Sequence, residues 1–193
     1  MLIINQVILA TLQSQNRTMS KKGLFTPGPN DHHIQKWNSF NHPNGGTFDL
    51  SHLDAHAVSY PSGHTVYVTY SHHCFCKEEA GLNDCHEWQY YHPKDPRPFH
   101  IHRYELSRSL REIIEKLHLA YIGHAGFDDY ATIPMGQVNG RETYYKVTFT
   151  VFRSNKKLRL HVTSAYPIEI REKLKKIKLE NILEKVLRPK GPK

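Results

Sequence analysis

The sequence predicts an α+β domain in which helices pack on one face of an antiparallel sheet. Three observations predict it. Two pairs of alternating, β-branched and aromatic segments are each closed by a short turn. An amphipathic helix lies between the pairs, and a second follows them. The length of 193 residues suits one globular domain with a tail. An aromatic content of 11% argues against a disordered chain. The expected division is a loop-rich extension and arm over 1–46, a core domain over 47–169, and a basic helix and tail over 170–193.

The elements follow in order. The opening MLIINQVILATLQSQNR has an apolar start with no basic stretch before it, unlike a secretory signal. It reads as a short packed helix or strand, or as an extension upstream of a working start near Met19. Residues 20–46 are dense in Gly, Pro, Asn and Ser, as loops are. His56–Tyr60 and Thr65–Cys76 read as strands around the turn Pro61-Ser62-Gly63. The stretch SRSLREIIEKLHL reads as a helix. It places Leu110, Ile113, Ile114 and Leu117 on one face, with Ser109 and Glu112 at capping-box spacing and Ser107 as an alternative cap. Thr143–Arg153 and Leu158–Pro167 read as a hairpin around a four-residue loop, SNKK. Val147, Phe149 and Val151 share one face, continued by Tyr145. Across the loop, Leu158, Leu160, Val162 and Ser164 share a face. The last helix is expected over Ile170–Leu187, ending before Pro189.

Composition narrows the chemistry. The net charge is +8, and from Arg171 to the end there are nine basic and three acidic residues. Such a tail is either a solvated helix face or an electrostatic contact to nucleic acid, where cations gain affinity by releasing counterions from phosphates. Lys156, Lys157, Arg159, Lys175 and Lys176 are the candidate contacts. No apolar run approaches the roughly 18–20 residues of a membrane span, so no membrane partner is expected. Three cysteines are too few for a disulfide scaffold and suit a reducing, cytoplasmic setting. The phosphate-loop, dinucleotide-binding, zinc-protease, serine-hydrolase and deaminase signatures are all missing from the sequence.

Fifteen histidines are the anomaly. Two constellations could use them. Cys74, Cys76, Cys85 and His86 have the composition of a Cys₃His zinc site, with Cys74 and Cys76 pointing the same way along a strand. The alternative is that Cys74 is a small core residue. The second constellation is distributed: His52, His73, Arg103, Ser164 and Tyr166, with His102 as a further acid–base candidate. These are the groups a ribonuclease without a metal needs. One group takes the proton of the ribose 2′-hydroxyl, another protonates the leaving 5′-oxygen, and a guanidinium and hydroxyls hold the phosphate. Histidine suits the proton transfers because it titrates near neutrality.

The motifs DLSHL (Asp49–Leu53), HCF (His73–Phe75), RYELS (Arg103–Ser107) and SAY (Ser164–Tyr166) occur in an order that resembles an uncharacterised family of small stand-alone bacterial proteins, over about Thr47 to Pro167. The helix followed by a hairpin ending in VTSAYP also resembles, in layout, the barnase, EndoU, colicin and RelE-like (BECR-like) ribonuclease toxins. Relative to that layout, AYIGHAGFDDYATIPMGQVNGR is an insert. The second resemblance implies RNA cleavage without metal, by Arg103 beside the helix, Ser164 and Tyr166 on the last strand, and His73 or His102 as acid–base group.

The expectation is therefore a metal-independent endoribonuclease of toxin type. His73 and His52 are its leading acid and base, Arg103 its phosphate clamp, and Tyr166 a donor or stacking group. RNA is the expected partner, with a cognate antitoxin or immunity protein as a further one, and no cofactor is required. The alternative is a non-catalytic nucleic-acid- or protein-binding module, with zinc as a structural ion.

Overall fold

A computed structural model describes residues 36–82, 85–90, 95–125, 128–138, 141–170 and 177–188. The fold is mixed α and β, and mostly sheet. Among the described residues ten strands follow one another: β1 (Phe40–Asn41), β2 (Thr47–Phe48), β3 (His56–Ser59), β4 (Thr65–Tyr70), β5 (Gln89–Tyr90), β6 (Arg97–Pro98), β7 (Ile122–Ala125), β8 (Asp128–Val138), β9 (Arg141–Ser154) and β10 (Lys157–Ile168). The α-helices among the described residues are α1 (Ile101–Ser107), α2 (Leu110–Glu115) and α3 (Leu179–Leu187). Six strands form the main sheet in the order β3-β4-β10-β9-β8-β7; β1 pairs β2, and β5 pairs β6.

The sheet is not wholly antiparallel as expected. β10 lies parallel to β4, with Leu160 opposite Val68 and His161 opposite Thr69, while its other neighbour β9 is antiparallel. Between β4 and β10 the chain passes through the helices and then β7, β8 and β9, so β10 comes back beside β4 by a long connection and runs in the same direction. The segment read as an insert supplies β7 and β8, two further antiparallel strands of the same sheet. Their pattern was hidden by Gly123, Pro134 and Gly136. Pro134 is tolerated because the register shifts between Pro134 and Gly136, and Gly136 takes a positive φ of 95° that suits glycine.

The β9–β10 hairpin forms with a shorter loop than expected. Both strands extend by a residue or more, leaving Asn155 and Lys156 as a two-residue turn with φ of 50° and 63°. Val147, Phe149, Leu158, Leu160 and Val162 are buried on one face as expected. Ser164 leaves that face. A bulge between Val162 and Ser164 gives its place to the buried Ala165, opposite Val147, and sets Ser164 opposite Thr148.

The helices also differ from expectation. RYELS belongs to α1, and the chain breaks at Arg108–Ser109 before α2. The Ser109 hydroxyl donates to the Leu106 carbonyl at 2.8 Å instead of capping α2. The C-terminal helix is described over Leu179–Leu187; Lys178 before it is extended and Ile177 bridges to Ile122 of β7, while 171–176 of the expected helix lie outside the described residues. Leu110, Ile114, Leu179 and Leu183 join Val66, Val147 and Leu160 in one core. No helix among the described residues is long and apolar enough to cross a membrane.

Candidate functional site

β4 carries the chain to the centre of the molecule and ends at Tyr70. Residues His72–Cys74 then form one tight 3₁₀ turn and do not continue the strand. The turn is closed by local bonds. Ser71 Oγ accepts from the His73 amide at 3.2 Å, the Ser71 carbonyl accepts from the Cys74 amide, and the Ser71 amide donates to Val162 of β10 at 2.9 Å. Cys76 bridges to Phe99, so α1 starts directly beside the turn. Arg103 of α1 reaches back across this junction. Its Nη1 donates to the carbonyls of His73 at 3.2 Å and Cys76 at 2.8 Å.

Asp95 completes the cluster. It lies in the Pro-bounded run ahead of β6 and accepts from His73 Nε2 at 2.6 Å. The Arg97 Nε donates to both its carboxylate oxygens, at 3.0 and 2.9 Å. His72 Nε2 donates to the Asp95 carbonyl at 2.9 Å and lies 3.7 Å from its carboxylate. Burial holds His73 below its ordinary range, more than Asp95 offsets. Desolvation pushes Asp95 up, but its bonds to Arg97 and His73 outweigh that and keep it below the usual carboxylate range. At neutral pH the pair is thus a neutral imidazole donating to a carboxylate. The bond uses the Nε2 proton and leaves Nδ1 as the unprotonated nitrogen.

Of the five predicted catalytic residues, three gather here. The Arg103 guanidinium stands 5.4 Å over the Tyr166 ring and is bonded to the His73 backbone. His52 is engaged elsewhere: its Nε2 meets Ser107 Oγ at 2.8 Å, and that hydroxyl in turn donates to the Tyr104 carbonyl at 2.6 Å. Ser164 shares the face of Tyr166 on β10, and its carbonyl accepts from the Thr148 hydroxyl at 3.0 Å. His102 is exposed on the first turn of α1. Beneath the cluster the buried His161 meets Thr69 Oγ1 through Nδ1 at 2.9 Å. Burial, and then repulsion from His73, push His161 down to about 4.

The expected zinc ligands sit otherwise. Cys74 lies in the 3₁₀ turn and Cys76 beyond it, so the two do not project together from a strand. Both are fully buried, and burial pushes the Cys74 thiol up to about 12 and Cys76 well above its usual range. Cys85 is half-buried, and the His86 side chain lies outside the described residues. Among the described residues the group with metal-ligand spacing is His72, His73 and Asp95, whose ligand atoms all lie within 4.8 Å of one another.

The expected phosphate contacts divide. Lys156 is exposed in the hairpin turn, and Lys157 Nζ lies 4.8 Å over the Tyr67 ring. Arg159 is only 1% exposed, between Tyr67 and Phe152 in the sheet register, and so is withdrawn from the surface. Lys175 and Lys176 lie outside the described residues.

A family model described as the YjaZ family matches residues 36–187. The chain belongs to the YjaZ family. It is 43% identical over 168 residues to Protein YjaZ of Escherichia coli (strain K12), which covers 81% of this chain and 94% of that protein. The match includes the DLSHL, HCF, RYELS and SAY segments within its span, so the likeness to a bacterial family stands. Nothing in it supports the likeness to ribonuclease toxins, and no solved structure matches. Asp95, Arg97, His72 and His161 were missed in the sequence. The one available signal was an acidic residue between two prolines, close to two adjacent histidines in a basic chain.

Proposed function

We propose that this YjaZ-family protein cleaves RNA without a metal, using His73 as its acid–base group. The observation that supports the reading is the meeting of His73, Arg103 and Tyr166, which are 30 and 63 residues or more apart in sequence. Asp95 fixes the His73 tautomer, as an orienting carboxylate does in other histidine-based sites. The free Nδ1 then takes the 2′-hydroxyl proton as that oxygen attacks the adjacent phosphorus. The P–O5′ bond breaks, leaving a 2′,3′-cyclic phosphate and a 5′-hydroxyl that receives a proton. We assign that proton to the hydroxyl of Tyr166, whose ring lies beside Arg103.

Arg103 supplies the charge. Its bonds to His73 and Cys76 use Nη1, which leaves the Nε and Nη2 donors of the fork for a phosphate oxygen. His52 is removed from the catalytic set, because its contacts tie the Asp49–Leu53 loop to α1. A labelled RNA incubated with the protein in EDTA at neutral pH tests the reading. Cyclic-phosphate ends are expected. Intact RNA beside folded protein contradicts it, as does undiminished cleavage by His73→Ala or Arg103→Ala.

A further inference from the structure

The proposed chemistry uses His73, Asp95, Arg103 and Tyr166 but leaves His72 without a role. His72 is the more deeply buried of the two adjacent imidazoles, and its ring stands 4.4 Å from that of His73. Neighbouring side chains in a chain usually diverge. Here the 3₁₀ turn aims both Nε2 atoms at one residue, Asp95.

We propose that His72, His73 and Asp95 form a three-ligand site for a divalent transition metal, zinc in particular, whose occupancy takes His73 out of acid–base work. The regulatory half of this proposal rests on the reading of His73 given above; the binding half does not. Two imidazoles and one carboxylate, with a fourth position left to water, make up a familiar zinc set. Two nitrogens select zinc, copper or nickel over magnesium and calcium, which prefer oxygen.

The setting is built for ligation. The turn is pinned from both sides, by Ser71 on β10 and by Arg103 on the carbonyls of His73 and Cys76. Arg97 grips both oxygens of Asp95 and so fixes the carboxylate plane, as outer partners of metal ligands do. His73 and Asp95 remain partly open to solvent, which gives an ion its entry. Arg97 and Arg103 also place two positive charges beside the ion. The affinity is therefore weaker than that of a structural zinc site, and the site exchanges its metal. That is the property a reversible inhibitor requires.

The experiment uses the full chain, stripped with EDTA and dialysed, titrated with zinc chloride by calorimetry and with magnesium chloride as the comparison. One zinc per chain is expected and no comparable magnesium binding. His72→Gln and Asp95→Asn each lose at least about tenfold in zinc affinity, within the range for disturbed metal sites. Circular dichroism shows that each variant is folded. In the cleavage assay, zinc inhibits the wild type and EDTA restores it, while the rate of His72→Gln, measured against its own zinc-free rate, does not fall with zinc.

Zinc binding that is absent, or unchanged in His72→Gln and Asp95→Asn, overturns the site, since a chain with fifteen histidines can hold zinc elsewhere. Ligand-dependent zinc binding by a protein that cuts no RNA keeps the site and overturns the ribonuclease reading. Cleavage by a protein that binds no zinc does the reverse.

Discussion

At the scale of single residues, the two histidines first paired as acid and base sit in different contacts. His52 shares its Nε2 with a serine hydroxyl that already donates to a helix carbonyl, so it must donate its own proton there. That bond joins a loop to α1. Replacing His52 with Ala is expected to cost about 1 kcal/mol, read as a lower midpoint in urea, while kcat/KM for RNA changes less than about twofold. A loss of activity at unchanged stability would return His52 to the catalytic set. His73 differs because burial keeps it neutral below its usual pKa and Asp95 holds it by Nε2. The acid limb of kcat/KM should therefore fall below pH 6.5, the ordinary value for histidine. Asp95→Asn removes the orienting carboxylate and should lower kcat with little change in KM. An acid limb above 6.5 contradicts the assignment.

At the scale of elements, β10 carries the stability argument. His161 is fully buried next to Thr69 and is held neutral down to about 4. Its folded pKa lies below its unfolded value near 6.5. The unfolded chain therefore binds the proton first as pH falls. The stability contributed is complete above about 6.5 and is lost progressively down to about 4, by at most roughly 3 kcal/mol. Urea midpoints measured across that window should fall for the wild type and stay flatter for a folded His161→Gln variant. The hairpin turn offers a second test. Lys156 holds a positive φ that costs a residue with a side chain about 1 kcal/mol, so Lys156→Gly should raise the midpoint by a comparable amount. The same strands show what the sequence could reveal. The alternation in β9 and β10 was plain because both carry long runs of Val, Leu, Phe and Thr. β7 and β8 were not plain, since Gly123, Pro134 and Gly136 break the pattern, and a bulge at Met135 accommodates the last two. The bulge at Thr163, which turns Ser164 away from the core, leaves no mark in composition at all.

At the scale of the whole molecule, the site is assembled by topology. β4 and β10 run parallel at the sheet centre, so the end of β4 delivers His72 and His73 beside the later half of β10, where Tyr166 lies. α1 then lays Arg103 across both. His73, Arg103 and Tyr166 were singled out by residue types that suit phosphodiester chemistry, and the fold brings them near one another. Asp95 and Arg97 were not, because a Pro-rich connection carries no periodicity and only the fold brings it to the turn. The core behind this junction includes α3, which seats Leu179 and Leu183. Leu183→Ala should cost about 2–5 kcal/mol, measured by denaturant unfolding, and the site should loosen with it only when the whole fold does. The central claim is that His73 and Arg103 act on one phosphodiester. Its most direct test is kcat/KM for RNA cleavage in EDTA for His73→Ala, Arg103→Ala and the double variant. Groups serving one transition state are not additive, so the double variant should lose little more than the worse single one. Losses that multiply, or single variants as active as the wild type, would contradict the account.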